Sequence, residues 1–317
     1  MTIKTEHCWV IHDGAAGNRR QAVALAEALG WSFDEKNLHA KGLAKLFAPR
    51  ILPFSAHPFR NDFAVEMQNA PAYVIGCGRQ AALATRLMKK AGSFAIQILN
   101  PGIASHHWDV VIAPNHDRLQ GENVIACNGS LHDVNEASLS LWRSEDSVLG
   151  NLDTPRTAVF IGGPSRMAKF NEGLIEVLFS QLEYDLAKRG GSLIICGSRR
   201  TPNLAAKKIR QRFSDSHFPV WFHDGDGQNL YHAALAHADR IVLTPDSVNM
   251  ISEACATQLP VYIAQPERAT GRLRIFLDEL MKTGRVRPLN RESVSFPVTA
   301  LNTMPDVIEK LKPFLNP

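Results

Sequence analysis

The sequence predicts an α/β protein built from two doubly wound parallel sheets, and three observations carry that prediction. Short, β-branched apolar runs alternate with segments of helical spacing along the chain. The alternation restarts after an acidic, polar stretch at residues 144–154. Several strand-like runs then open into loops of Gly, Ser, Asn or Arg, where open α/β sheets bind ligands.

Taken in order, the first half offers Cys8–Ile11 before a helix from Gln21 to Leu29, and Ala72–Gly76 before a helix from Ala81 to Lys90. Phe94–Leu99, Asp109–Ala113 and Asn123–Ala126 follow as further strands. The second half offers Thr157–Gly163, Ser192–Ser198, a run from Pro219, Asp239–Ser247 and Val261–Ala264, all but the last with a helical segment behind them. A hinge at Gly150–Pro155 divides residues 1–152 from residues 153–300. Residues 301–317 carry a last helix, Met304–Leu315, which has no following strand and is expected to pack back on the first domain. Two such domains facing each other would place the carboxyl ends of both sheets on one central cleft.

Composition narrows the class. The 317 residues are 45% apolar, enough to bury large cores, and exceed the usual size of one core. The formal charge of +4 is mild, and the chain lacks the aromatic-interleaved basic runs of single-strand binders, so no nucleic-acid partner is expected. Cys8, Cys77, Cys127, Cys196 and Cys255 are scattered singly without a Cys-x-x-Cys pair, which argues for reduced thiols and against a zinc site. The N-terminus lacks the apolar core of a signal peptide, and no apolar span reaches the roughly 18 residues of a membrane helix. A cytoplasmic protein is expected.

The most informative tract is Thr244–Pro260. Arg240–Leu243 reads as a covered strand, Pro245 ends it, and Val248–Cys255 runs at helical spacing. Asp246 and Ser247 thus fall at a helix N-terminus, where free N–H groups and the dipole favour a phosphate. Glu253, about two turns on, can accept hydrogen bonds from ribose hydroxyls. Asp and Ser are also ordinary helix caps, so capping and phosphate binding both fit. In the loop after Phe160-Ile161, Gly162 and Gly163 allow close backbone approach, Ser165 offers a hydroxyl, and Arg166 and Lys169 bring positive charge. Gly197, Ser198 and Arg199 follow the next strand. In the first half, His12 and Asp13 precede a turn containing Gly14 and Gly17, Asn18 can cap its helix, and Arg79 and Gln80 follow Gly76–Gly78. Neither glycine tract has G-x-G-x-x-G spacing or a Walker lysine, which weighs against nicotinamide dinucleotides and P-loop chemistry.

These tracts resemble known families. Residues 246–254, DSVNMISEA, with the strand before them and the GGPSR loop, are similar to the donor half of GT-B glycosyltransferases and of non-hydrolysing UDP-N-acetylglucosamine 2-epimerases. Over nearly the whole chain, IHDGAAGNRRQAVALAEALG, VIGCGRQAALA, IGGPSRMAKF and TPDSVNMISEACATQLPVYIA resemble bacterial relatives of the plant "elongated mitochondria" fission proteins. The resemblance implies a GT-B fold of two Rossmann-like domains, with a nucleotide sugar as donor in the second and an acceptor over the first, and no tightly bound cofactor. Asp246, Ser247, Met250 and Glu253 would then hold the nucleotide, and His223 with Asp224 would border its base. A nucleotide-sugar epimerase and a non-catalytic adaptor are the alternatives it leaves open.

For transfer, a general base must take a proton from the acceptor; Asp13 is best placed, with His12 next, although Asp13 also suits a turn. Diphosphate charge can be met by N–H groups and by Gly163, Ser165, Ser247 and Arg199, without a metal. Arg79 can bind an anionic acceptor or pair with a surface carboxylate. Residues 223–227, HDGDG, read as a turn rather than a calcium loop, and His106-His107 as an exposed loop. Between Lys36 and Asn61 there is no acidic residue, while Lys36, Lys41, Lys45, Arg50 and Arg60 alternate with Leu43, Leu46, Phe47, Ile51, Leu52, Phe54 and Phe59. Such a mixture suits either peripheral contact with an anionic inner membrane and a lipid-linked acceptor, or an internal helix with its apolar side in the core.

Overall fold

A computed structural model of the chain describes residues 5–51, 58–59, 61–145, 148–223, 230–291 and 294–315. Its contacts separate two compact units: residues up to Asp133 together with those from Thr303, and Val134–Asn302.

In the first unit the elements run β1 (His7–His12), α1 (Ala16–Ala28), β2 (Ser32–Asn37), α2 (Gly42–Phe47), α3 (Asn61–Glu66), β3 (Tyr73–Cys77), α4 (Arg79–Lys90), β4 (Phe94–Ile98), β5 (Val110–Pro114) and β6 (Val124–Cys127). The strands form a parallel sheet in the order β2-β1-β3-β4-β5-β6. Helices cover both faces, so the inner strands are apolar on both sides: β3, β4 and β5 bury almost every residue. β2, SFDEKN, lies at the edge and stays largely exposed. Its polar alternation hides it from a search for apolar runs.

The second unit contains α5 (Glu136–Glu145), β7 (Arg156–Ile161), α6 (Glu172–Arg189), β8 (Ser192–Gly197), α7 (Asn203–Arg212), β9 (Val220–His223), α8 (Tyr231–His237), β10 (Arg240–Leu243), α9 (Val248–Cys255), β11 (Val261–Ile263), α10 (Gly271–Lys282) and β12 (Val286–Pro288). Its sheet, also parallel, has the order β12-β11-β10-β7-β8-β9. α6 shows why such a helix forms where it does. The Asn171 side chain accepts from Leu174 N, Glu172 sits in the first turn, and Leu174, Ile175, Leu178, Phe179, Leu182 and Leu186 recur at helical spacing on the buried side. α5, ahead of the hinge expected at residues 150–155, packs on α8 in this unit.

The chain then returns. α11 (Met304–Leu315) lies on α1, β5 and β6, with Met304, Val307, Leu311 and Leu315 inside the core of the first unit. One buried cation secures the far end of α9: the Arg285 guanidinium donates to the carbonyls of Ala254 and Cys255 in its last turn and of Thr257 and Leu259 just beyond it. No described helix is long and apolar enough to cross a membrane.

Candidate functional site

In the second sheet the strand order reverses between β7 and β10, so the loops after β7, β8 and β10 meet at one switch point. Hydrogen bonds fix all three. Gly162 N donates to Thr244 Oγ1 at 2.8 Å, and Thr244 Oγ1 in turn donates to Asp246 Oδ1 at 2.6 Å. Asp246 Oδ2 accepts from Gly163 N at 2.9 Å and from Arg200 Nη2 at 2.8 Å. Arg200 also donates to the carbonyls of Gly163 and Pro164. Thr201 completes the lock by accepting from Ser198 N at 2.8 Å and facing the Ile161 and Gly162 carbonyls.

The glycines are needed here for lack of room. A Cβ on Gly162 would overlap the Asp246 carboxylate, and one on Gly163 would overlap the backbone carbonyl of Arg200. Their N–H groups are committed to Thr244 and Asp246, so the turn supplies a rigid platform rather than free phosphate donors. Of the adjacent arginines, Arg199 stands exposed and Arg200 carries the ion pair to buried Asp246.

The remaining expected residues of this unit fall around that platform. Ser247 caps α9, its hydroxyl accepting from Met250 N at 3.4 Å, with Met250 buried behind it. Glu253 is buried two turns on, and its Oε2 accepts from the Tyr231 hydroxyl at 2.5 Å. Ser165 accepts from Met167 N, while Arg166 and Lys169 are exposed on the turn that follows. Gly197 ends β8. His223 ends β9, buried and stacked at 6.0 Å between centroids on Trp221. Asp224 and the rest of the 224–227 turn lie outside the described residues.

Sequence reasoning missed three residues of this site and one just past the end of β11, the strand beside β10. Arg200 could not be told from Arg199, Thr244 and Tyr231 read as ordinary strand-end and helix residues, and Gln265 carries no motif. Gln265 follows β11 with φ +45°; Arg268 Nε donates to its Oε1, and its Nε2 is buried without a hydrogen-bond acceptor among the described residues.

In the first sheet the reversal falls between β1 and β3, and Asn18 bridges the two loops there. Its Nδ2 donates to Asp13 Oδ1 at 3.0 Å, and its Oδ1 faces the Cys77 thiol at 3.8 Å. Gly78, at φ +93°, passes against the Asn18 amide where no side chain would fit. Asp13 Oδ1 also accepts from Ala15 N, which leaves Oδ2 without a hydrogen bond among the described residues. His12 is fully engaged: Nδ1 accepts from Gly14 N at 3.1 Å and Nε2 faces Glu35 Oε2 at 3.2 Å. The Arg19 fork grips both Glu35 oxygens and holds that carboxyl below its ordinary range. Burial pushes the Cys77 thiol well above its usual value. Gly17 lies in the first turn of α1. Gln80 Oε1 accepts from Ala40 N, and Arg79 donates to backbone carbonyls of Lys45, Leu46 and Ala48. Of the basic-apolar segment, residues 52–57 and Arg60 lie outside the described residues, Leu52 and Phe54 among them; Ala44, Ala48 and Phe59 are buried, while Leu43, Leu46 and Phe47 are exposed.

Two helix-flanked, parallel six-stranded sheets, each with fixed loops at its reversal point, define a protein of the GT-B class. Solved structures of that class align over nearly the full chain. UDP-GlcNAc 2-epimerase from Methanocaldococcus jannaschii gives a TM-score of 0.55 at 12% identity, covering 98% of this chain and 93% of that one. MurG from Acinetobacter baumannii gives 0.52 at 13% identity, covering 98% and 91%. At such identities the likeness is one of fold. The chain belongs to the mitochondrial fission ELM1 family, whose model matches residues 16–313. It is 29% identical to Mitochondrial fission protein ELM1 of Arabidopsis thaliana over 73% of this chain, an alignment that spans 61% of the plant protein. An uncharacterized protein of Rickettsia prowazekii is 28% identical over 90% of this chain and 91% of its own length.

Proposed function

We propose that the second unit binds a nucleotide sugar and that the protein is a GT-B-type glycosyltransferase, passing the sugar to a cell-envelope acceptor of lipopolysaccharide type on the cytoplasmic side of the membrane. The observation that carries this reading is the locked platform of Gly162, Gly163, Arg200 and Asp246, which lies at the switch point, where such sheets hold their ligands. Ser247 and the first turn of α9 suit a phosphate by dipole and N–H groups. Ser165, Arg166, Lys169 and Arg199 offer a hydroxyl and three cations to a diphosphate leaving group, the charge that grows as the sugar departs. Glu253, oriented by Tyr231, takes the ribose hydroxyls, and His223 borders the base.

In the proposed step the acceptor oxygen forms a bond to the anomeric carbon, the bond to the diphosphate oxygen breaks, and the acceptor proton passes to Asp13. Asp13 suits this role because Ala15 and Asn18 hold Oδ1 and leave Oδ2 for the proton. Both His12 nitrogens are engaged, which favours Asp13 over its neighbour.

The test is thermal melting with UDP, GDP, CDP, CMP and TDP and their sugars, on the wild type and on Glu253→Gln. A ligand at a hundred times its Kd stabilises by about 2.7 kcal/mol. A shift selective for one base and lost in the variant supports the donor site. No shift with any nucleotide overturns the reading in favour of an adaptor, and inversion of a nucleotide sugar in the absence of acceptor replaces it with an epimerase.

A further inference from the structure

α2 turns an apolar face away from the fold. Leu43 and Leu46 are each 65% exposed and Phe47 is 42% exposed, whereas Ala44 alone of this helix is buried. Clustered exposure of large apolar side chains marks an interaction surface, because scattered ones are ordinary and contiguous ones are not. The rim of the cluster is basic. Lys41, Lys45 and Arg50 are exposed and form no ion pair among the described residues, and no Asp or Glu occurs between Lys36 and Asn61.

The presentation is built rather than loose. Arg79 and Arg86 stand seven residues apart, two turns along the same face of α4. Arg79 donates to the carbonyls of Leu46 at 2.9 Å, Lys45 at 3.1 Å and Ala48 at 3.5 Å. Arg86 Nη1 donates to Pro49 O at 3.2 Å while its Nη2 faces His107. Together they hold the last turn of α2 and the segment after it by the backbone, so the helix cannot roll its leucines inward without breaking those bonds.

We propose that this face is a docking surface for an anionic phospholipid membrane: Leu43, Leu46 and Phe47 enter the interfacial layer and Lys41, Lys45 and Arg50 meet lipid phosphates. The charge pattern selects the occupant. A symmetric contact between two copies would set one basic rim against the other, whereas a layer of anionic headgroups complements the rim around an apolar centre. The inference does not depend on sugar transfer, since it rests on the first unit alone.

The test is flotation of the full chain, without nucleotide, with vesicles of pure phosphatidylcholine and of equimolar phosphatidylcholine and phosphatidylglycerol. The wild type is expected to float with the anionic vesicles only, and less so as salt rises. Lys41→Gln/Lys45→Gln/Arg50→Gln should weaken partitioning on the order of a hundred-fold, from roughly five-fold per basic residue. Leu43→Ser/Leu46→Ser/Phe47→Ser should abolish it, and Arg79→Gln should weaken it although every lipid-facing side chain remains. The two triple variants alter exposed residues, so their melting temperatures should match the wild type. Failure of the wild type to float with anionic vesicles overturns the proposal, as does equal flotation of either triple variant. A dimer in sedimentation that the Leu43→Ser/Leu46→Ser/Phe47→Ser change dissolves also overturns it, and assigns the face to self-association.

Discussion

Asp246 Oδ2 lies 2.8 Å from Arg200 Nη2 and 2.9 Å from Gly163 N, so a single buried oxygen ties the β7, β8 and β10 loops together. Asp246→Ala removes the acceptor both from the buried Gly163 N–H and from the hydrogen of the Thr244 hydroxyl. We expect a loss of about 2–4 kcal/mol, discounted on the side of Arg200, which is 43% exposed. The urea midpoint should fall accordingly, and an unchanged midpoint would show that the lock contributes nothing.

The two glycine turns differ from an ordinary glycine in a testable way. Gly163→Ala meets a backbone carbonyl that cannot step aside, so we expect a cost of about 1–3 kcal/mol or more. Gly173, exposed in the first turn of α6 with only ordinary contacts, supplies the contrast. Gly173→Ala should raise stability by about 0.5–1 kcal/mol. Melting curves of the two variants should move in opposite directions.

Arg285 is buried, and its burial lowers its pKa from the ordinary arginine value. Replacing it with Met fills the volume but takes the guanidinium donor from the Thr257 and Leu259 carbonyls just beyond α9, for a cost of about 2–4 kcal/mol. Arg285→Lys should recover only part of this, because one ammonium cannot span the fork. Urea denaturation of the two variants checks the order.

All five cysteines are buried and unpaired. Burial pushes the Cys8, Cys127, Cys196 and Cys255 thiols up to about 12. Ellman's reagent at pH 8 should therefore find the native chain silent and all five thiols after urea. The linkage has a definite sign. A thiol raised in the folded state contributes stability that is present below its ordinary value near 9 and is lost as pH rises through about 12. Stability should decline across that alkaline window, and Cys196→Ser should soften the decline.

The inner strands and several helices were legible because burial on both faces writes itself into composition. Arg240–Leu243, Val248–Cys255 and Met304–Leu315 form the elements their spacing predicts, residue for residue. The edge strands β2 and β12 were not legible, since SFDEKN pairs through its backbone and faces water with its side chains. The site was legible as loops rather than as partners. Sequence placed Gly163, Asp246 and Ser198 at strand ends, but which arginine reaches the carboxylate depends on how Thr201 shapes the turn after β8. Arg79 shows the same limit: its position after Gly78 suggested an anionic acceptor or a surface carboxylate, and its three carbonyl partners lie 31 to 34 residues earlier in the chain.

Because residues from Thr303 belong with those before Asp133, the two units must be completed in reverse order during synthesis. The second unit has all its strands and helices once Asn302 has left the ribosome. The first, begun earlier, still shows water the groove on α1, β5 and β6 that Val307, Leu311 and Leu315 later fill. A nascent chain therefore carries an unfinished apolar seam until Met304–Leu315 emerges, and that helix acts as the clasp that shuts it.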